Sequence, residues 1–142
     1  EAGYQLQDHI PELGKTLGEE LLTPTRIYVR SILSLIDKVE VKGMAHITGG
    51  GIPENVVRIF PAGLGAVIDT RAIDILPVFR LIERLGRVPR EEMFRTFNMG
   101  IGYIVAVAPG DLDKTMQYLQ TEGEKPVLLG EINSKEPRVI LR

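Results

Sequence analysis

The stretch His46-Ile-Thr-Gly-Gly-Gly-Ile-Pro-Glu-Asn-Val-Val-Arg-Ile-Phe60 sets an apolar, strand-like run against three consecutive glycines and then a helix-like run. The segment before it, Lys42 to Thr48, is short, with Gly43 and Thr48 near its ends. The segment after it, Ile52 to Phe60, carries Pro53 in a first helical turn and Glu54 where a carboxylate complements the helix dipole. The triple glycine is therefore read as a strand-to-helix turn. Working outward, Gly65 to Thr70 reads as a second strand. Ile75 to Gly86 has Leu76, Phe79, Leu81, Ile82 and Leu85 at mainly helical spacing, with Gly86 as its stop. Pro89 to Phe97 reads as another short helix, with Glu91 and Glu92 in its first turn. Gly100 to Pro109 is the most apolar strand and is expected to lie centrally in a sheet. Asp111 is expected to cap a helix over Leu112 to Gly123, and two strands, Lys125 to Ile132 and Arg138 to Arg142, close the chain. Upstream, Thr23 to Val39 reads as a helix starting at Thr23 or Thr25, with Pro24 in its first turn and Ile27, Ile32, Leu35 and Ile36 on one face. Strands interleaved with helices imply an α/β or α+β domain built in layers.

The composition narrows the function. With 142 residues the chain suits one domain, which buries roughly 68–70% of the surface that its unfolded chain exposes. It has no Cys, which removes disulfides, thiol nucleophiles and thiolate metal sites, and its two His residues, His9 and His46, are far apart in sequence. No metal ligands are assigned. A formal charge of −2 and few aromatics suggest neither nucleic acid nor a membrane as partner. There is no long apolar span and no basic-then-apolar leader, so a cytoplasmic protein with a small-molecule partner is expected. The chain opens with Glu1 and a polar stretch containing Pro and Gly, and residues 1–12 are read as the remnant of a truncated upstream element.

The glycine turn is the first candidate site. The leading N–H groups of a helix lack intrahelical partners, and a glycine-rich turn lets a ligand approach backbone that a Cβ would obstruct. Thr48, Gly49, Gly50 and Gly51 form a candidate anion cradle, in which each charge-assisted bond contributes about 1.5–3 kcal/mol. The alternative is a tight turn that binds nothing. On the cradle reading, Gly50→Val is expected to weaken ligand binding and leave the fold largely intact. The turn is not a nucleotide-binding P-loop, because no Lys follows it, and no dinucleotide fingerprint is present. His46 shares a strand face with Met44 and Thr48 and is either a ligand contact or a half-buried structural histidine. Arg26 and Arg30, one helical turn apart, either offer two guanidinium forks to an anion or decorate a solvated helix face. Gly100 and Gly102 begin the most apolar strand, so something approaches the backbone there: a crossing helix, or a ligand near Asn98. No self-contained catalytic set is legible.

Three segments together carry a resemblance: Leu21 to Leu33 (LLTPTRIYVRSIL), Ala45 to Pro61 (AHITGGGIPENVVRIFP) and Glu91 to Val107 (EEMFRTFNMGIGYIVAV). In that order and spacing the chain resembles the C-terminal domain of the phosphoribosylformylglycinamidine cyclo-ligase family, also called aminoimidazole ribonucleotide synthetases, from about Leu13 to Arg142. The resemblance implies a layered α/β sandwich with a mixed sheet and a partly ferredoxin-like order. It implies ATP-dependent ring closure of formylglycinamidine ribonucleotide in purine biosynthesis, with Mg²⁺ bound mainly by an N-terminal domain that also forms a homodimer interface. Residues 1–142 would then be the C-terminal half of a two-domain enzyme, inactive alone. Thr48, Gly49, Gly50 and Gly51 would meet a phosphate group, His46 and Asn98 would line the cleft between domains, and Arg26 is a further candidate. The alternative is a phosphate-ligand-binding module, or a paralogous ATP-dependent kinase domain of the same superfamily.

Overall fold

The computed structural model describes residues 3–142. Glu1 and Ala2, the start of the expected upstream remnant, lie outside the described residues. The following stretch is tied into the domain. Strand β1 (His9–Ile10) pairs antiparallel with β2 (Lys15–Thr16), Ile10 is buried, and Glu12 forms an ion pair with Arg84. Helix α1 (Leu17–Leu21) follows at once. Thr16 and Glu19 cap it reciprocally, the Thr16 hydroxyl accepting from the Glu19 N–H and the Glu19 carboxylate accepting from the Thr16 N–H at 2.8 Å.

Helix α2 spans Val29–Ile36, six residues later than the earliest expected start at Thr23. Tertiary contacts account for the delay. The Arg26 guanidinium is held by the Gly123 carbonyl and the Glu124 carboxylate, and the Tyr28 ring is seated against Gly102, so the chain before Val29 is committed elsewhere. Ile27, expected on the core face, is 82% exposed, and Ile36 is exposed as well. Leu35 is the residue of that set that is fully buried.

Strand β3 (Val41–His46) leads through the glycine turn into α3 (Gly51–Val56) and a 3₁₀ turn (Val57–Ile59), the expected strand-to-helix order. Strand β4 (Gly65–Ile68), helix α4 (Pro77–Gly86), helix α5 (Arg90–Thr96), strand β5 (Tyr103–Val107) and helix α6 (Leu112–Thr121) come next. Helix α4 runs through Gly86, and the left-handed residue that ends it is Arg87 rather than the expected Gly86. A Cβ on Gly86 would press on the Val88 side chain as the chain folds back. Asp111 precedes α6 but its carboxylate makes no cap; its carbonyl instead accepts from the Thr115 hydroxyl at 2.7 Å. The last two strands are β6 (Gly130–Asn133) and β7 (Val139–Leu141).

The strands form a mixed α/β fold with small sheets. β4 lies between β6, antiparallel, and β7, parallel, with Ala66 opposite Ile132 and Val139. β5 was expected to be central, yet among the described residues it pairs only with β3, antiparallel, His46 standing opposite Tyr103 and Ala45 opposite Ile104. Its unbroken apolar character comes from cover on both faces. Val105 and Val107 pack against Leu35, Val39 and Leu119 of the α2–α6 side, and Ile104 packs into the main core. That core gathers Ile47, Ile52, Val56, Ile68, Met93, Phe94 and Met99 beneath the glycine turn. It anchors the turn to three elements at once.

Candidate functional site

The turn is held from below by one buried side chain. Asn55, 5% exposed, donates from its amide to the carbonyls of Thr48, Gly49 and Gly51 at 3.3, 3.2 and 2.8 Å, and its carbonyl accepts from Arg58 at 3.3 Å. The Gly51 N–H is already spent on the Thr48 carbonyl at 3.0 Å. Sequence reasoning passed over Asn55, although an amide one turn into the helix that follows a glycine run is the type of group able to satisfy that run's carbonyls.

The three glycines have different causes. Gly51 (φ +57°) is pressed against α5: a Cβ there would overlap the Phe94 carbonyl oxygen and come within 2.9 Å of the Phe97 carbonyl oxygen. Gly50 (φ +93°) is left-handed, and a Cβ would stand 2.6 Å from a Glu54 carboxylate oxygen and 2.9 Å from the Glu54 Cβ. Gly50→Val is therefore strained in the fold itself, which corrects the expectation that it leaves the fold largely intact. Around Gly49 a Cβ would meet nothing within 4 Å. Packing accounts for two glycines of the turn and leaves the third open to solvent.

His46 is exposed, which removes the half-buried alternative, and it does share an outward face with Met44 and Thr48. Its ring is flanked by two tyrosines that the sequence did not single out: Tyr103 stacks on it with centroids 6.1 Å apart, and Tyr28 meets it edge-on at 6.3 Å. Burial pushes the Tyr28 hydroxyl above its ordinary pKa, Arg26 opposing and Glu124 reinforcing the shift. Tyr103 was in principle legible, since pairing of the two apolar strands sets it opposite His46; Tyr28 had no sequence signal.

Asn98 turns its own loop, its side-chain oxygen accepting from the Gly100 N–H at 3.0 Å while Met99 is left-handed. What approaches the glycines here is neither a crossing helix nor of necessity a ligand. Gly100 faces the Asp74 carbonyl and Leu76, and Gly102 makes room for the Tyr28 ring. Asn98 follows directly on Phe97, whose carbonyl touches Gly51, so the Asn98 loop and the glycine turn abut. Thr48, Gly49 and His46 are thus brought together, with Asn98 adjoining. Arg26 sits ahead of α2 and pairs with Glu124 at 2.9 Å, its side chain 54% exposed, while Arg30 approaches Glu122 at 3.8 Å. Together with Ser31 they line a hollow of about 200 Å³.

Among the described residues no group of three or more His, Asp or Glu side chains is placed to hold a metal ion, and Glu54, the carboxylate nearest the turn, pairs with Arg95 at 3.4 Å. These residues do not make a Mg²⁺ site. The turn can offer backbone and the exposed Thr48 to an anion, with an imidazole beside it. It carries no nucleophile and base set within bonding reach.

Residues 2–142 match the family described as AIR synthase related protein, C-terminal domain, and the chain belongs to that family. Its resemblance to the C-terminal domain of phosphoribosylformylglycinamidine cyclo-ligase holds at the level of curated relatives. It is 47% identical over 97% of its length to the phosphoribosylformylglycinamidine cyclo-ligase of Brevibacillus brevis, and 52% identical over 97% to that of Carboxydothermus hydrogenoformans. The chain spans about 40% of the length of each of these relatives. A crystal structure of E. coli HypE superposes with a TM-score of 0.65 over 88% of this chain and 40% of that one, at 24% identity, a likeness of fold. No helix of the described residues is long and apolar enough to cross a membrane.

Proposed function

We propose that this chain is the C-terminal half of a cytoplasmic, homodimeric cyclo-ligase that uses ATP and Mg²⁺ to close the imidazole ring of formylglycinamidine ribonucleotide, the partner domain supplying the metal ligands. On this reading the small sheets belong to a layered sandwich with a partly ferredoxin-like order. The observation that supports it is the 47–52% identity carried along 97% of the chain to relatives of that name. Thr48 and Gly49 would receive a phosphate group, Gly50 and Gly51 shaping the backbone that does so. His46, steadied by Tyr28 and Tyr103, and Asn98 would face the cleft between domains. Such chemistry is mostly positioning and charge stabilisation, which suits a site of backbone groups and fixed rings.

The test is a chimera in which this chain replaces the matching 40% of the Brevibacillus brevis relative, assayed with formylglycinamidine ribonucleotide and Mg-ATP. Ring closure with release of ADP is expected. A folded chimera that binds both ligands without closing the ring would overturn the cyclo-ligase reading, and ADP formed with a phosphorylated, unclosed product would favour a paralogous kinase.

A further inference from the structure

A second hollow, larger than the one beside Arg26, is bordered by α3, α5 and β7. This groove of about 510 Å³ runs between α5 and β7, within the roughly 300–1,000 Å³ typical of small-molecule sites. Val139 and Leu141 give it an apolar lining over the buried Phe94, and Arg90 and Arg142 border it together with one carboxylate, Glu91, that has no salt-bridge partner among the described residues. The Arg90 guanidinium carbon lies 5.4 Å from the Phe94 ring centroid, so this exposed cation rests against the ring at the edge of the groove.

The charges are not evenly spent. Arg95 pairs with Glu54 at the groove's rim, and Arg71, just beyond it, is bound at 2.7 Å by Asp69, whose carboxyl those bonds hold down to about 2. Among the described residues neither Arg90 nor Arg142 has a carboxylate within 4.0 Å. Two unpaired guanidinium groups beside an apolar lining match an amphipathic anion, with forks for a dianion and a surface for a carbon body.

We propose that this groove is a second binding site, separate from the glycine turn, for an organic phosphate monoester of nucleotide size, with its phosphate held by Arg90 and Arg142 and its organic body against Val139 and Leu141. It stands whether or not the glycine turn binds a phosphate, because the two share no proposed ligand contact.

The experiment is a heteronuclear NMR titration of the 142-residue chain with AMP, and separately with inorganic phosphate. Saturable shifts at the α5 and β7 amides are expected with AMP, and weaker binding of inorganic phosphate, which lacks the body. Arg90→Gln, on the exposed start of α5, should weaken AMP about tenfold, Arg90→Lys should recover part of the loss, and Gly49→Val should leave the groove shifts unchanged. Absence of saturable shifts in the groove overturns the proposal. So does an unchanged affinity in a folded Arg90→Gln, or equal affinity for inorganic phosphate. AMP shifts confined to Thr48–Gly51 would overturn the groove while supporting the glycine turn.

Discussion

At Gly100 and Gly102 the protein itself excludes a side chain, through the Asp74 carbonyl in one case and the Tyr28 ring in the other; at Gly49, on the neighbouring loop, nothing in the protein does. Both loops read alike in sequence, as glycines flanking an apolar strand, and both abut through Phe97 and Gly51. The difference separates glycines that pack from a glycine that leaves space. Gly51 belongs with the first group and Gly49, two residues away, stands alone. A run of three glycines is thus a structural pair plus one position free of structural demand.

The sharpest way to break this division is Gly51→Ala. The new methyl would collide with the Phe94 carbonyl, backbone that cannot swing aside, at a left-handed φ that L side chains disfavour. Overpacking and backbone strain together predict a loss of about 3–4 kcal/mol, read from urea denaturation midpoints. A loss below about 1 kcal/mol would mean that α3 and α5 can part freely, and that Gly51 is no more structural than Gly49.

Next in size is Asn55→Ala, which leaves the carbonyls of Thr48, Gly49 and Gly51 without their shared donor. The Thr48 carbonyl keeps the Gly51 N–H and the exposed Gly49 carbonyl can turn to water, so the loss falls mainly at the buried Gly51 carbonyl and is expected to be about 1–2 kcal/mol, with faster hydrogen exchange at the Gly51 amide than at amides of α6. Equal acceleration in α6 would show that Asn55 supports the whole domain rather than the turn.

Much of this arrangement was legible in the sequence, and the failures have physical causes. The order β3, glycine turn, α3 followed from local signals: apolar alternation, Pro53 in a first turn, Glu54 at the dipole. Helix α1 was legible too, since Thr16-x-x-Glu19 is a capping-box pattern, although the sequence reading did not assign it. The start of α2 was not legible. Thr23, Pro24 and Thr25 satisfy every local rule for a helix start, and contacts of Arg26 with Glu124, 98 residues on, and of Tyr28 with Gly102, 74 residues on, override them. The position of β5 failed for a related reason: an apolar run reports cover on both faces and says nothing about how many strands flank it. At the glycine turn, His46, Thr48 and Gly49 were singled out from the sequence as residue types suited to a ligand, and the structure shows all three exposed there. Tyr28 and Asn55 were not, because what selects them is a tertiary contact and a carbonyl count.

The smallest stability effect is the most informative for function. At Gly49→Ala the added methyl meets no atom within 4 Å, and the backbone there is not in the left-handed region. Stability is expected to stay within about 0.5 kcal/mol of the parent, because no packing, cap or hydrogen bond is touched. On the proposed function the methyl would stand in the open space through which an anion reaches the backbone of the turn. In the chimera described above, Gly49→Ala should therefore raise KM for the ribonucleotide or for Mg-ATP about tenfold, with the thermal midpoint unchanged. Which of the two responds would identify the phosphate that the proposed cradle receives. If neither KM moves in a variant of unaltered stability, Gly49 is as silent in binding as it is in packing, and the space above it belongs to solvent.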